Sequence, residues 1–102
     1  MIRHIVLTKF KPATDESEIR DIYAGLAALC DQLDGAEGFT GGRSQSPEQF
    51  ERGYKHGFVI DFATWDALKT YAEHPTHKSL GMRLIANAVG GIDGVLALDI
   101  EV

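Results

Sequence analysis

The chain is short of cysteine, of basic charge and of long apolar runs, and each shortage excludes something. Its single cysteine, Cys30, allows no intrachain disulfide, which fits a reducing compartment. A formal charge of −5 lacks the basic stripe a general nucleic-acid binder needs to neutralise phosphates. No apolar run approaches the length required to cross a bilayer. The first residues, Met1 to Lys9, carry Arg3 and Lys9 inside their apolar stretch and no cleavage site, so they do not read as a signal peptide. The expectation is a soluble, cytoplasmic, single domain over residues 1–102, without nucleic-acid or membrane partners. At that length a real core can form with little to spare, so self-association would be a useful source of buried area.

What is present alternates between two periods. Ile2 to Lys11 reads as a strand closed by Pro12, with Ile2, His4, Val6, Thr8 and Phe10 on one face. Arg3, Ile5, Leu7, Lys9 and Lys11 share the other; both faces are apolar at the centre, so the strand should be covered on both sides. Asp15 with Glu18 has the look of a capping box. The helix it opens places Ile19, Ile22, Tyr23, Leu26, Leu29, Cys30 and Leu33 on one stripe, and Asp34-Gly35 ends it. Cys30 on that stripe reads as a core residue. Gly38 to Gln45 is a weaker, edge strand, with Gly41-Gly42 marking a bulge or a close backbone approach. A polar loop, Ser46 to Gly53, leads to a strong strand, Tyr54 to Ala63, with His56, Phe58, Ile60 and Phe62 on one face. Thr64 caps a helix whose buried side is Trp65, Leu68, Tyr71 and Ala72. Pro75 breaks it. Thr76 to Ala88 continues in helical register, Gly90-Gly91 stops it, and Val95 to Val102 forms the last strand.

Strand, helix, strand, strand, helix pair, strand is the order of an α+β, ferredoxin-like βαββαβ fold with its helices on one face of a single sheet. With the first and third strands taken as central neighbours running in parallel, His4 and His56 occupy the same end of the sheet. Ten residues of the second helix cover about 15 Å and should bring Tyr71, His74 and His77 back to that end. All four histidines are thus expected to converge between sheet and helices. The opposite sheet face, assigned Ile5, Leu7, Val59, Val95 and Ala97, is too apolar to leave in water. A second copy of the same face is the simplest cover, giving a two-fold homodimer.

The ordered set His4-Ile5-Val6-Leu7-Thr8-Lys9-Phe10-Lys11, then Gly53-Tyr54-Lys55-His56-Gly57-Phe58, then Tyr71 and His74-Pro75-Thr76-His77, resembles the stress-responsive A/B barrel (Dabb) domain family over nearly the whole chain. The resemblance implies a dimeric α+β barrel of two ferredoxin-like subunits packed sheet to sheet. Family activities vary; one plant member is a polyketide cyclase that uses the second histidine of its His-Pro-x-His motif as base and the preceding tyrosine to orient it. Those roles would fall on His77 and Tyr71. His4, His56, Tyr23 and His74 would line the ligand pocket, with Tyr23 aligning only across a gap.

Three functions fit these residues. An imidazole with an ordinary pKa of about 6.5 suits proton abstraction near neutrality, so His77 and Tyr71 could act as a cofactor-free acid/base pair of cyclase, isomerase or lyase type on a small carbonyl or polyketide-like compound. The same pocket could hold a small apolar ligand without catalysis. Or the histidines could form a buried hydrogen-bond network that serves only the fold. No metal site is expected, since Pro75 disrupts the His74–His77 spacing and no carboxylate aligns with it.

Overall fold

In the computed structural model, which describes residues 1–102, the alternation in the first segment becomes a central strand, β1 (Ile2–Thr8), with Ile2, Val6 and Thr8 buried. It is shorter than the apolar run suggests. Lys9 exchanges backbone hydrogen bonds with Gly94 and Val89 instead, and Phe10 makes an isolated bridge to Ala88. Helix α1 (Glu16–Gln32) buries the expected stripe from Ile19 to Cys30. Asp15 stands at its N-cap without a side-chain bond, and Glu18 turns away to Arg83, whose Nη2 lies 2.6 Å from its carboxylate. The capping box therefore does not form, although Glu16 and Glu18 still place negative charge at the positive end of the helix.

Strand β2 (Ala36–Arg43) lies at the sheet edge. Its irregularity falls between Ala36 and Phe39 rather than at the paired glycines. Gly41 has the close approach instead, since a Cβ there would sit 2.9 Å from that of Phe58. Strand β3 (His56–Phe62) buries His56, Phe58, Ile60 and Phe62 in strict alternation. Thr64 caps helix α2 (Trp65–Glu73) by accepting from the Ala67 amide at 3.1 Å. Trp65 is 52% exposed and Ala72 also faces outward; the buried side of α2 is Tyr71, with Ala67 and Leu68 half-buried. Pro75 is not a loop residue but the first residue of α3 (Pro75–Ala86), where its missing N–H costs nothing. Glycines 90 and 91, both at positive φ, stop the chain beyond α3, and a short 3-10 turn, Gly91–Gly94, leads into β4 (Val95–Glu101).

The sheet order is β2-β3-β1-β4 with every neighbouring pair antiparallel. The parallel pairing expected for the first and third strands is therefore wrong, for a reason of connectivity. The crossover through α1 makes β1 and β2 run the same way, and β3, reversed by the turn after β2, lies between them and opposes both. His4 pairs with Ile60, while His56 pairs with Thr8, so the two histidines sit at opposite ends of the sheet. Register also corrects the uncovered face. Val95 and Ala97 pair with Thr8 and Val6 on the helix side, and Leu96, Leu98 and Ile100 stand opposite Leu7, Ile5 and Arg3 on the open side. Those three β4 residues are 47%, 56% and 45% exposed, which makes the open face more apolar than Val95 and Ala97 would.

Candidate active site

Four elements each bring one polar side chain to the end of the sheet where β1 begins. His4 projects from β1 toward the helices because its parity matches that of Ile2 and Val6. Asp99 lies beside it on β4, directly across the ladder, and its Oδ1 is 2.6 Å from His4 Nδ1. A carboxylate can only accept, so His4 Nδ1 carries the proton in that bond. Tyr71, from the last turn of α2, is fully buried and packs its ring 5.9 Å from that of His4 and 5.1 Å from that of Phe62. His77, in the first turn of α3, packs its ring against that of Tyr71, 4.4 Å between centroids and tilted by 51°.

The break at Pro75 orients the last pair. α2 ends at His74, which leaves the Ala72 carbonyl without a helical partner, and His77 Nδ1 lies 3.0 Å from it. A carbonyl oxygen can only accept, so His77 Nδ1 donates and its Nε2 is left with a free lone pair. Burial lowers the His77 pKa below the usual histidine value, with the neighbouring His4, His74 and Lys78 acting in the same direction against the Ala72 hydrogen bond. The ring is therefore neutral at pH 7, in the form a general base requires.

Tyr71 is the opposite case. Burial pushes its phenol well above the ordinary tyrosine range, so it stays a donor. Its buried hydroxyl has no hydrogen-bond partner. Such a group costs about 1–3 kcal/mol, and proteins leave few of them.

The other expected site residues lie elsewhere. His74 is the N-cap of α3, its Nδ1 accepting from the Thr76 amide at 3.1 Å. Its job is local, as a polar side chain at a helix start would have suggested. His56 is at the far end of the sheet, packed edge-on to Phe10 at 5.2 Å and 3.3 Å from the Glu16 carboxylate. Tyr23 packs against Phe39 and Phe58 on that side of the core, and burial together with Glu16 raises its pKa. Of the four histidines expected to converge, His4 and His77 meet beside Tyr71, with His74 close by at the start of α3, whereas His56 lies at the other end because β3 runs antiparallel to β1; Tyr23, which the family resemblance put in the same pocket, packs near His56 instead. Asp99, bonded to His4, is not among the residues the motifs single out. Its signal was a charge inside the alternation Leu98-Asp99-Ile100, on the face shared with Val95 and Ala97. No group of three or more His, Cys, Asp or Glu side chains is placed to hold a metal ion.

A four-stranded antiparallel sheet backed by helices on one face, with imidazole and phenol side chains between the layers, defines a small ferredoxin-like α+β protein. The chain belongs to the stress-responsive A/B barrel (Dabb) family, whose model matches residues 2–102. It is 28% identical over 98 residues to the stress-response A/B barrel domain-containing protein HS1 of Arabidopsis thaliana, covering 96% of this chain and 86% of that one. It is 21% identical over 80 residues to olivetolic acid cyclase of Cannabis sativa, covering 78% and 79% of the two chains. Among solved structures, a dimeric ferredoxin-like protein from Jannaschia sp. CCS1 superposes with a TM-score of 0.93 at 34% identity, covering 99% of this chain and 98% of that one.

Proposed function

We propose that His77, Tyr71, His4 and Asp99 form an acid/base site for a small carbonyl compound, within a homodimer packed through the open sheet face. His77 Nε2 takes a proton from the carbon next to the carbonyl. The Tyr71 hydroxyl donates to the enolate oxygen as it forms, and the proton on His77 is then returned to carbon or to a leaving oxygen. His4, held by Asp99, offers its Nε2 edge as a second polar contact. The closing step, cyclisation, isomerisation or elimination, depends on the compound. The similarity to a cyclase fits this chemistry.

The observation that carries the proposal is the Tyr71 hydroxyl, buried and without a partner against the ring of a histidine whose own bonding leaves Nε2 free. Thr8 Oγ1, Tyr23 Oη and His56 Nε2 are also buried without a partner; Tyr71 differs from them in packing against His77, so that a donor and a free basic nitrogen belong to adjacent rings. The dimer is supported by the apolar row Leu96, Leu98 and Ile100 beside Ile5 and Leu7, and by the dimeric neighbour. The test is deuterium exchange at the α-carbon of small ketones and β-diketones of increasing chain length in D2O. Exchange above the uncatalysed rate, lost in His77→Ala and Tyr71→Phe while both variants stay folded, is the expected result. Exchange that is equal in the variants would refute the assignment.

A further inference from the structure

At the end of the sheet opposite Tyr71 and His77, the connection from β1 to α1 meets the ends of β2 and β3. They enclose a groove of about 490 Å³, lined by Lys9, Lys11, Arg43 and Lys55 with Glu16 and His56. Four of the chain's ten basic residues therefore surround one depression in a protein of net charge −5. Glu16 is the one carboxylate among them, and Arg43 holds it at 2.9 Å. Lys9, Lys11 and Lys55 belong to none of the ion pairs. Two are nevertheless positioned: the Lys9 ammonium lies 5.0 Å over the Tyr54 ring, and Lys11 Nζ donates to the Ala86 carbonyl at 3.1 Å. The Lys9 stem runs against Gly53, where a Cβ would come within 2.8 Å of it. Like charges around one depression repel, and an anion bound there would offset that repulsion.

A second observation points into the same groove. His56 is 93% buried, and its Nε2 lies 3.3 Å from a Glu16 carboxylate oxygen but makes no hydrogen bond. Phe10, Ile19 and Val89 supply an apolar wall beside it. Three ammonium groups without a carboxylate partner suit a dianion better than a single carboxylate, and lysines bind phosphate as point charges without demanding planar geometry. The wall suits an organic substituent.

We propose that this groove is an anion-binding site for a small organic phosphate monoester, with Lys9, Lys11 and Lys55 neutralising the phosphate and His56 Nε2 bonding it from below. The site is separate from the His77–Tyr71 centre and does not depend on its being catalytic.

The test is NMR titration of the full-length protein with phenyl phosphate, inorganic phosphate and benzoate, followed at the histidine rings and backbone amides. Phenyl phosphate should give saturable shifts at His56 and at Lys9 to Thr14, with benzoate weaker, and added sodium chloride should weaken binding. Lys9→Gln and Lys55→Gln should each raise Kd about threefold or more, while Glu16→Gln, which removes the opposing charge, should lower it. His77→Gln should bind as tightly as the parent, so a failed carbonyl assay leaves this result standing. Equal affinity in the lysine variants, or no shift at His56 with phenyl phosphate up to tens of millimolar, would overturn the proposal; that range covers the weakest useful contacts.

Discussion

Replacing Tyr71 by phenylalanine should make the protein more stable and less active at once. The ring of Tyr71 is fully buried between His4, Phe62 and His77, and phenylalanine keeps that outline. Only the hydroxyl is lost, and it has no partner in the folded chain, whereas in the unfolded chain water satisfies it. The folded state therefore carries a desolvation cost of about 1–3 kcal/mol that the variant escapes. We expect the unfolding free energy to rise by about 1 kcal/mol, and the melting temperature by about 4 °C or more for a domain near 100 residues. Urea unfolding at fixed protomer concentration measures it, the concentration being held constant because the stability of the proposed dimer would depend on it. α-Carbon exchange should fall about 100-fold or more, the usual cost of removing a donor to a developing oxyanion. A Tyr71→Phe protein that is less stable by 1 kcal/mol or more would mean that the hydroxyl is bonded in the native protein, and the argument for a site at that position would fail.

Other perturbations follow from the same geometry. Leu98→Asp puts a carboxylate into the middle of the open face and should weaken the dimer by about 3 kcal/mol, more than 100-fold in Kd; analytical ultracentrifugation that still finds a tight dimer would exclude the sheet-to-sheet interface. His77 is held neutral by burial, so its folded pKa lies below the unfolded value. Its contribution to stability is complete above about pH 6.5 and is lost as pH falls from there through the lowered folded value. The urea midpoint should therefore drop on acidification, and less so in His77→Gln; identical pH profiles would contradict the buried neutral ring. His74→Ala removes the cap from the Thr76 amide and should cost about 1 kcal/mol without changing the exchange rate, as read by urea unfolding and the ketone assay.

The parts of the fold legible in the sequence were those with local causes. Periods of two and 3.6 placed all four strands and all three helices, the Thr64 cap formed as its side chain and spacing suggest, and the α1 stripe from Ile19 to Cys30 is buried as a unit. The errors arose where position depends on partners distant in sequence. Whether β1 and β3 run parallel is decided by connectivity, and taking them as parallel moved His56 to the wrong end. Val95 and Ala97 were put on the open face because parity within β4 says nothing about which face meets the helices; its register against β1 decides that. Asp99 was missed for the same reason, since its bond to His4 crosses 95 residues of sequence. Tyr71 and His77 do come together as expected, because they lie six residues apart around one proline, where the chain itself limits the geometry.

The most direct test of the acid/base account is the protonation state of the His77 ring, read from long-range 15N–1H NMR correlations between pH 5 and 8. The account predicts that Nδ1 carries the proton, bound to the Ala72 carbonyl, that Nε2 is bare at pH 7, and that the ring takes up a second proton only below the ordinary histidine value. A proton on Nε2 at pH 7, or a titration above about 6.5, would leave no base beside Tyr71 and would contradict it.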